Sequence, residues 1–323
     1  MKEILIKKED SNQRIDKFVR KFLNEAPLSF IYKLFRKKDV KINKHRVTQQ
    51  YILQEGDLLQ IYVSDSQLEE FNKPKKIIDC GMDIDIIYED ENILIVNKPS
   101  GILIHGDEGE KRITLSNKVI SYLYNKGEYN PKNQEFIPSP VHRLDRNTSG
   151  LVIFAKNVES SQLLMEELKT HENIKKTYLA LVEGQTDKEG FIKAPLLKDS
   201  DSGLVKVCPI SKGGKEALTE YETIQSNGEY SLVKVNLVTG RTHQIRVHFS
   251  YINHPIIGDP KYGNFELNRF FFEKYKYKNQ FLHANSLKFI KMNGLLSYLS
   301  GNEFQAKLDN NKNNLLENIF DKF

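Results

Sequence analysis

The hydrophobic positions of the first sixty residues predict a small unit of two helices and short strands. Residues 14–23 place apolar side chains at the i, i+3, i+4 and i+7 spacing of one helix face, namely Ile15, Phe18, Val19 and Phe22. A second helical pattern after Pro27 contains Ile31, Leu34 and Phe35. Residues 39–43 alternate like a strand, and residues 58–63 form another apolar run. We therefore predict a folded domain at residues 12–63.

A second, larger domain is predicted at residues 81–323. Between the two, residues 64–80 are polar and contain Pro74 among lysines, which is typical of a linker. Apolar runs of strand type follow at 84–87, 93–96, 151–155, 176–184 and 233–237, and helical patterns at 115–123 and 160–168. The last segment, residues 302–323, is rich in Asn and Lys and predicts a surface helix.

Residues 243–249 are compatible with two structures. Ile245, Val247 and Phe249 alternate as in a strand, whereas Ile245, Phe249 and Ile252 share a helical face. A Gly-Arg-Thr turn separates this segment from the preceding strand pattern, which favours a helix. Thr242 is then the predicted N-cap.

Basic residues are concentrated in the N-terminal part of the chain. The formal net charge is +5 overall, but residues 1–63 carry +6 and the remainder −1. A lysine-rich solvated face is the simpler explanation of this excess. Because the charges are interleaved with apolar positions of a folded unit, we favour a surface that binds the phosphate backbone of a nucleic acid. Its candidate residues are Lys33, Arg36, Lys37, Lys38, Lys41, Lys44 and Arg46.

Composition and motifs exclude several functional classes. No apolar run approaches the roughly 18–20 residues of a membrane helix, and the first residues do not resemble a secretory signal. Cys80 and Cys208 lie far apart, form no metal-binding pair and do not imply a disulfide scaffold. Because a protein without disulfides suits a reducing compartment, a cytoplasmic location is expected. Neither a phosphate-binding glycine loop nor a dinucleotide fingerprint is present. We expect no metal, no cofactor and no membrane partner, and we expect a monomer.

The segment His142–Gly150 places one carboxylate, Asp145, between Arg143 and Arg146. The buried-strand pattern of residues 151–155 follows immediately. A carboxylate at the start of a strand and flanked by cations is either a salt-bridge anchor or a nucleophile. The residues by themselves favour the anchor.

Six motifs, in this order, resemble the RluA-type RNA pseudouridine synthases. They span residues 82–290 and are Asn97–Gly101, His142–Gly150, Lys176–Tyr178, Thr239–His248, His254–Asp259 and Phe281–Ala284. Residues 12–63 resemble an S-four-type RNA-binding domain, through Arg14-Ile15-Asp16, the basic turn and Glu55-Gly56-Asp57. Asn147 departs from the family, in which Asp is more frequent.

The resemblance assigns roles to individual residues. It implies that Asp145 is the catalytic carboxylate, acting on the uracil ring or on the ribose anomeric carbon, and that Arg246 pairs with it. It implies that Tyr178 stacks on the target base and assists proton removal, and that Arg143 fills the space of the flipped nucleotide. Leu282 is either a core residue or part of the uracil pocket.

The expected fold class is therefore α+β, with a small α/β S-four-type domain before a mixed, largely antiparallel catalytic domain. The expected function is isomerisation of uridine to pseudouridine in RNA, with large-subunit (23S) ribosomal RNA as the favoured substrate. Transfer RNA is the alternative substrate. A non-catalytic RNA-binding protein of ribosome assembly is the alternative from another class, and it gives no reason for Asp145, Tyr178 and Arg246 to occur together.

Overall fold

The computed structural model describes the whole chain except residues 8–9, 74–76, 107–112, 132–135, 171, 200–201 and 321–323. It contains two compact units, one formed mainly by residues 1–76 and the other mainly by residues 77–323. The predicted linker thus includes residues 74–76, which lie outside the described residues, and residues 77–80, which belong to the second unit.

The first unit packs helices on a small antiparallel sheet. Its elements are β1 (Lys2–Leu5), α1 (Ile15–Phe22), α2 (Leu28–Lys37), β2 (Val40–Ile42), β3 (His45–Arg46), β4 (Leu58–Ile61) and α3 (Asp65–Phe71). The strand order is β1-β4-β2-β3. The apolar positions that predict α1 supply the core, because Ile15 and Val19 are fully buried against Leu59 and Ile61.

Helix α3 differs from the prediction, since it occupies residues assigned above to a linker. Ser64 caps it by accepting a hydrogen bond from the Gln67 backbone, and the Gln67 side chain accepts from Ser64 in return. Leu68 and Phe71 pack on the core of the first unit. The Phe71 ring centre lies 4.8 Å from that of Phe30. Strand β1 likewise precedes residue 12, where the predicted domain begins.

The second unit has one large sheet with helices on both faces. The strands of this unit are β5 (Ile86–Glu89), β6 (Ile93–Lys98), β7 (Ser139–Pro140), β8 (Ser149–Ala155), β9 (Ile174–Glu183), β10 (Glu189–Lys193), β11 (Leu196–Lys198), β12 (Val205–Val207), β13 (Leu218–Ser226), β14 (Tyr230–Leu237), β15 (Leu282–Phe289) and β16 (Glu303–Gln305). Of these, β11 and β12 form a separate two-stranded antiparallel sheet. Its helices are α4 (Leu115–Asn125), α5 (Val158–Thr170), α6 (Gln244–Tyr251), α7 (Phe265–Tyr275) and α8 (Asn310–Ile319).

The strand order of the large sheet is β10-β13-β14-β9-β15-β8-β6-β5, with β16 paired to β15 and β7 to β8. In the described part of the chain, β15 and β8 are parallel and every other strand pair of this sheet is antiparallel. This arrangement confirms the predicted fold class of the catalytic domain. The adjoining β15 also explains Gly150, whose φ is +110°, because a Cβ there would lie 2.2 Å from the Ala284 carbonyl oxygen.

Strand β8 is buried on both faces, which accounts for its uninterrupted apolar sequence. Val152 and Phe154 belong to one core cluster, and Leu151, Ile153 and Ala155 to the cluster on the other face.

One local prediction needs correction and another is confirmed. The helix predicted over residues 243–249 is present as α6, but Thr242 does not cap it. His243 occupies the N-cap in the left-handed region, with a φ of +54° and no side-chain cap. The C-terminal helix α8 is the predicted surface helix: Asn314 and Glu317 are exposed on its outer side, and Leu315 and Leu316 are buried in a cluster with Phe271 and Phe281.

Candidate active site

Asp145 lies on the wall of a cavity of about 380 Å³ in the second unit. The loop that carries it precedes β8 and is fixed by the turn after β6. Lys98 and the Gly101 backbone both donate hydrogen bonds to the Arg146 carbonyl, at 2.8 and 2.9 Å, and the Ser100 hydroxyl donates to the Asn147 carbonyl at 2.7 Å. The segment Asn97–Gly101 therefore positions the Asp145 loop.

Lys98 is fully buried beneath this loop. Its ammonium donates three hydrogen bonds to carbonyl oxygens, those of Pro99, Ile102 and Arg146, at 2.8–2.9 Å. Burial lowers the pKa of Lys98 to about 7, while the negative charge of Asp145 opposes the shift. The three acceptors use every hydrogen of the charged form.

Arg246, on α6, links two carboxylates. Its Nη1 donates to Oδ2 of Asp145 at 2.7 Å, and its Nε and Nη2 donate to both oxygens of Asp259 at 2.7 and 2.8 Å. Burial disfavours its charge, but the hydrogen bonds and charges of Asp259 and Asp145 raise the pKa of Arg246 overall. The bidentate contact with Asp259 fixes the guanidinium plane and thereby aims the third donor at Asp145.

The second oxygen of Asp145, Oδ1, faces the cavity without a hydrogen bond among the described contacts. An ionisable group beside Oδ1 is His243, whose Nε2 lies 3.8 Å away. The other ring nitrogen of His243 is 2.8 Å from the Tyr262 hydroxyl, which also accepts a hydrogen bond from the Val205 backbone. Burial lowers the pKa of His243, and the charge of Asp145 acts in the opposite direction.

Tyr178 and Leu282 line the same cavity from adjacent strands, β9 and β15. Tyr178 is only 6% exposed. Burial, and then the charge of Asp145, raise the pKa of the Tyr178 hydroxyl well above its usual value. Leu282 is buried in the core cluster as well as lining the cavity, so both of its predicted interpretations fit the structure.

A third part of the cavity wall consists of cations without carboxylate partners. Arg143, Lys169 and Lys176 line it, and none of the three forms an ion pair with a carboxylate among the described residues. Burial lowers the pKa of Lys176 to about 8. Beside it, burial and the Lys176 charge lower the pKa of His142 to about 3, and His142 Nε2 accepts a hydrogen bond from the Ile153 backbone.

The structure thus brings together five of the predicted site residues in one cavity: Arg143, Asp145, Tyr178, Arg246 and Leu282. The seven basic residues predicted to bind RNA, between positions 33 and 46, belong to the first unit. They lie on α2, β2, β3 and the turns between them. Six of these seven are exposed, and Lys41 is half-buried with its ammonium 4.6 Å from the Tyr62 ring centre.

Sequence reasoning missed four polar residues of the site: Lys98, Lys176, His243 and Asp259. Each belongs to a motif quoted above for the family resemblance, so membership of a motif was the available signal. Periodicity carries no information about them, because their function depends on partners far away in the sequence. In the described part of the chain, no group of three His, Cys, Asp or Glu side chains is arranged to hold a metal ion, and no helix is long and apolar enough to cross a membrane.

Comparisons with known proteins indicate the family of this chain. Residues 92–251 match the family described as RNA pseudouridylate synthase. The chain is 37% identical over 294 residues to ribosomal large subunit pseudouridine synthase C of Escherichia coli K12, covering 90% of this chain and 88% of that protein. It is also 37% identical to the protein of the same name from Buchnera aphidicola, with 88% of each chain covered.

A solved structure shares the fold. Human RNA pseudouridylate synthase domain containing 4 aligns with a TM-score of 0.59 at 22% identity, over 73% of this chain and 92% of that chain. The identity and coverage of the bacterial relatives, together with the family match, show that this chain belongs to the RNA pseudouridine synthase family.

Proposed function

We propose that this protein isomerises uridine to pseudouridine in the RNA of the large ribosomal subunit, with Asp145 as its catalytic carboxylate. The observation that carries the proposal is the Asp145–Arg246–Asp259 chain of hydrogen bonds at the wall of a cavity of about 380 Å³. A volume of this size is typical of small-ligand sites and fits one extruded nucleotide. Ribosomal RNA is favoured over transfer RNA because the bacterial relatives are named for the large subunit.

In the proposed reaction, Oδ1 of Asp145 is the attacking atom, because Oδ2 is held by Arg246 and Oδ1 is not hydrogen-bonded. A carboxylate needs no helper base to act as a nucleophile when it is ionised and oriented. Attack at the ribose anomeric carbon breaks its bond to uracil N1, and the uracil leaves as an anion with the bonding electrons. After rotation, uracil C5 bonds to the same carbon and the Asp145 carboxylate leaves. The proton on C5 is then lost and N1 gains one proton, which gives neutral pseudouridine. Attack on the uracil ring is the alternative first step.

Tyr178 and Leu282 would enclose the uracil, and Arg143 would occupy the space that the flipped nucleotide leaves in the RNA. The raised pKa of Tyr178 disfavours its phenolate at neutral pH. We therefore assign Tyr178 to stacking on the base and do not assign it proton removal in the free enzyme. Arg143 is exposed at the rim of the cavity, where a planar cation can reach RNA.

We propose that residues 12–63 act as an S-four-type RNA-binding domain. Six exposed cations and Lys41 lie on a folded surface in which Asp39 is the one acidic residue between positions 28 and 46. Phosphate contacts of this kind contribute affinity without reading sequence. We also propose that the protein is a monomer and acts in the cytoplasm. In bacteria such as those of the relatives, large-subunit RNA is processed there.

The test is the Asp145→Asn variant, which keeps the side-chain volume but removes the charge. We expect pseudouridine formation in a transcript of large-subunit RNA, measured as tritium released from uridine labelled at C5, to fall to background while RNA affinity is retained. Asp187→Asn, at an exposed loop position, is the matched control and should leave the rate unchanged. Product formation by the Asp145 variant would overturn the catalytic assignment. Activity on transfer RNA alone would overturn the substrate.

A further inference from the structure

Helix α7 exposes more aromatic surface than a packed helix needs. Leu267 and Phe271 face the core of the second unit. On the outward side, Phe265 is 66% exposed, Phe270 42% and Phe272 40%. Several exposed phenylalanines on one helix are costly in water and usually mark a binding surface.

Basic residues occupy the same outward side as these rings. Phe265, Arg269, Phe272 and Lys276 follow the i, i+4, i+7 and i+11 spacing of one helix face, and Lys278 follows the helix. We call these five residues the α7 stripe. The Nζ atoms of Lys276 and Lys278 lie 5.8 and 4.9 Å from the Phe272 ring centre.

The cations of the α7 stripe are available for a ligand. Arg269, Lys276 and Lys278 are all exposed, and none has a carboxylate within ion-pair distance in the described part of the chain. Residues 261–278 contain five basic and two acidic residues. The region is therefore locally positive, although the second unit as a whole is not.

Alternating rings and cations fit one class of partner. Unpaired bases stack on aromatic side chains, and the phosphates between them pair with Lys and Arg. A folded acidic protein would match the cations but gives no reason for the exposed rings to recur with them. We propose that the α7 stripe binds a single-stranded or looped segment of the RNA substrate outside the catalytic cavity. The proposal rests on the proposed function only in taking RNA as the substrate.

The stripe is fixed in relation to the catalytic residues. Asn268 of α7 accepts a hydrogen bond from the Gly258 backbone at 2.7 Å and donates one to the Asp259 carbonyl at 2.8 Å. Asp259 in turn holds Arg246. None of the stripe residues lines the cavity itself. An RNA segment held on α7 would consequently lie at a set distance from the flipped uridine, and the enzyme would favour substrates with an unpaired segment at that distance.

Crosslinking tests where RNA lies on the full chain. The probe is a single-stranded oligouridylate of about 16 nucleotides, the upper site size of one single-strand-binding module. Ultraviolet light joins stacked uracil to aromatic residues, and mass spectrometry of the digest locates the joined peptide. We expect crosslinks at Phe265 or Phe272. Crosslinks that occur only in other parts of the chain would overturn the proposal.

Affinity and salt dependence test what the stripe contributes. Phe265→Ala/Phe272→Ala should weaken binding of a large-subunit RNA transcript at least about thirtyfold, since each stacked base contributes about 1–3 kcal/mol. Arg269→Gln/Lys276→Gln/Lys278→Gln should lower the slope of log affinity against log salt by about 0.7 per cation removed. The control is Phe191→Ala. Phe191 is a 73% exposed ring like those of the stripe, but its cross-strand neighbour is the acidic Glu220 and not a cation.

The failure of this proposal differs from failure of the proposed function. If stripe variants bind the transcript as tightly as Phe191→Ala does, the α7 stripe does not contact RNA, whatever the wild-type activity. If wild-type protein forms no pseudouridine in any RNA, the proposed function fails even where crosslinks to α7 are found. The substituted side chains are exposed, and circular dichroism would verify that each variant is folded.

Discussion

Two sets of charged residues at the same cavity differ in whether their charges are paired. In one set, Asp145, Arg246 and Asp259 are joined by three hydrogen bonds of 2.7–2.8 Å. In the other set, Arg143, Lys169 and Lys176 have no carboxylate partner among the described residues. We call these sets the paired wall and the cationic wall.

The difference separates positioning from recognition. A group whose hydrogen bonds are already made in the free protein is held in one geometry, which a nucleophile requires. A cation without a carboxylate partner in the free protein can form an ion pair with a bound ligand. In an RNA substrate, the anions are the phosphates. We therefore expect changes in the paired wall to affect kcat and changes in the cationic wall to affect KM.

After the loss expected for Asp145→Asn, the largest effect should come from Arg246→Lys. Lysine keeps the positive charge, but one ammonium cannot hold Asp259 through two parallel bonds and aim a third at Asp145. Losing one charge-assisted hydrogen bond of about 1.5–3 kcal/mol in the transition state corresponds to a fall in kcat of about 10- to 150-fold. Single-turnover kinetics on a saturating transcript would measure it.

The kinetics of Arg246→Lys can also contradict the distinction between the paired wall and the cationic wall. KM for the transcript should change less than about twofold, because Arg246 is buried and would not contact the RNA backbone. If Arg246→Lys keeps the wild-type kcat, charge by itself is sufficient and the geometry of the paired wall has no catalytic importance. A raised KM with unchanged kcat would place Arg246 among the recognition residues.

A smaller effect is expected for Lys176→Met on the cationic wall. Removing one phosphate contact should raise KM about tenfold and change kcat little. Because the pKa of Lys176 is about 8, its charged fraction falls as the pH rises through that value. Wild-type KM should therefore increase above pH 8, and this increase should be missing in the variant.

Lys175→Met is the matched control, since Lys175 is the exposed neighbour on the other face of β9. It should leave both KM and its pH dependence unchanged. Should Lys176→Met lower kcat as strongly as Arg246→Lys does, the two walls would share one function and the distinction would be lost.

The smallest effect concerns His142 and stability. The pKa of His142 is lowered to about 3 by burial and by the Lys176 charge, so the folded state binds fewer protons than the unfolded state below pH 6.5. The free energy of unfolding should therefore decrease as the pH falls from 6.5 towards 3. In Lys176→Met, the His142 pKa should move back towards 6.5 and the decrease should be shallower. Denaturant unfolding down to about pH 5, above most carboxylate pKa values, combined with NMR titration of His142, measures both. Identical His142 titrations in the two proteins would show that Lys176 does not act on it.

Much of the fold follows from patterns that are local in the sequence. The apolar spacing of α1 and the uninterrupted apolar run of β8 predict both elements within two residues of their observed ends. The N-cap of α6 could not be predicted in the same way, because the left-handed conformation of His243 depends on the surrounding structure. The apolar side of α8 was predicted, but its packing partners were not, because Phe271 and Phe281 are distant in the sequence from Leu315 and Leu316.

The candidate site likewise has one part that could be predicted from local sequence and another that could not. Asp145 could be singled out because Arg143 and Arg146 flank it in sequence, but its hydrogen-bonded partner, Arg246, is 101 positions away. Only the family resemblance connected the two. Lys98 is a stronger example, since no pattern predicts that a lysine beside a proline and a glycine turn will be fully buried under the Asp145 loop.

The position of β15 has a consequence for how the protein matures during synthesis. Strand β9, which lines the cavity, and strand β8, which follows the Asp145 loop, are not neighbours; β15 lies between them and begins only at Leu282. A nascent chain that has not yet emerged past this point lacks the central strand of its sheet, so its N-terminal and middle strands cannot join. The N-terminal unit, whose contacts are local, can fold much earlier. During translation, the N-terminal unit would therefore fold first, and the cavity around Asp145 would be assembled only near the end.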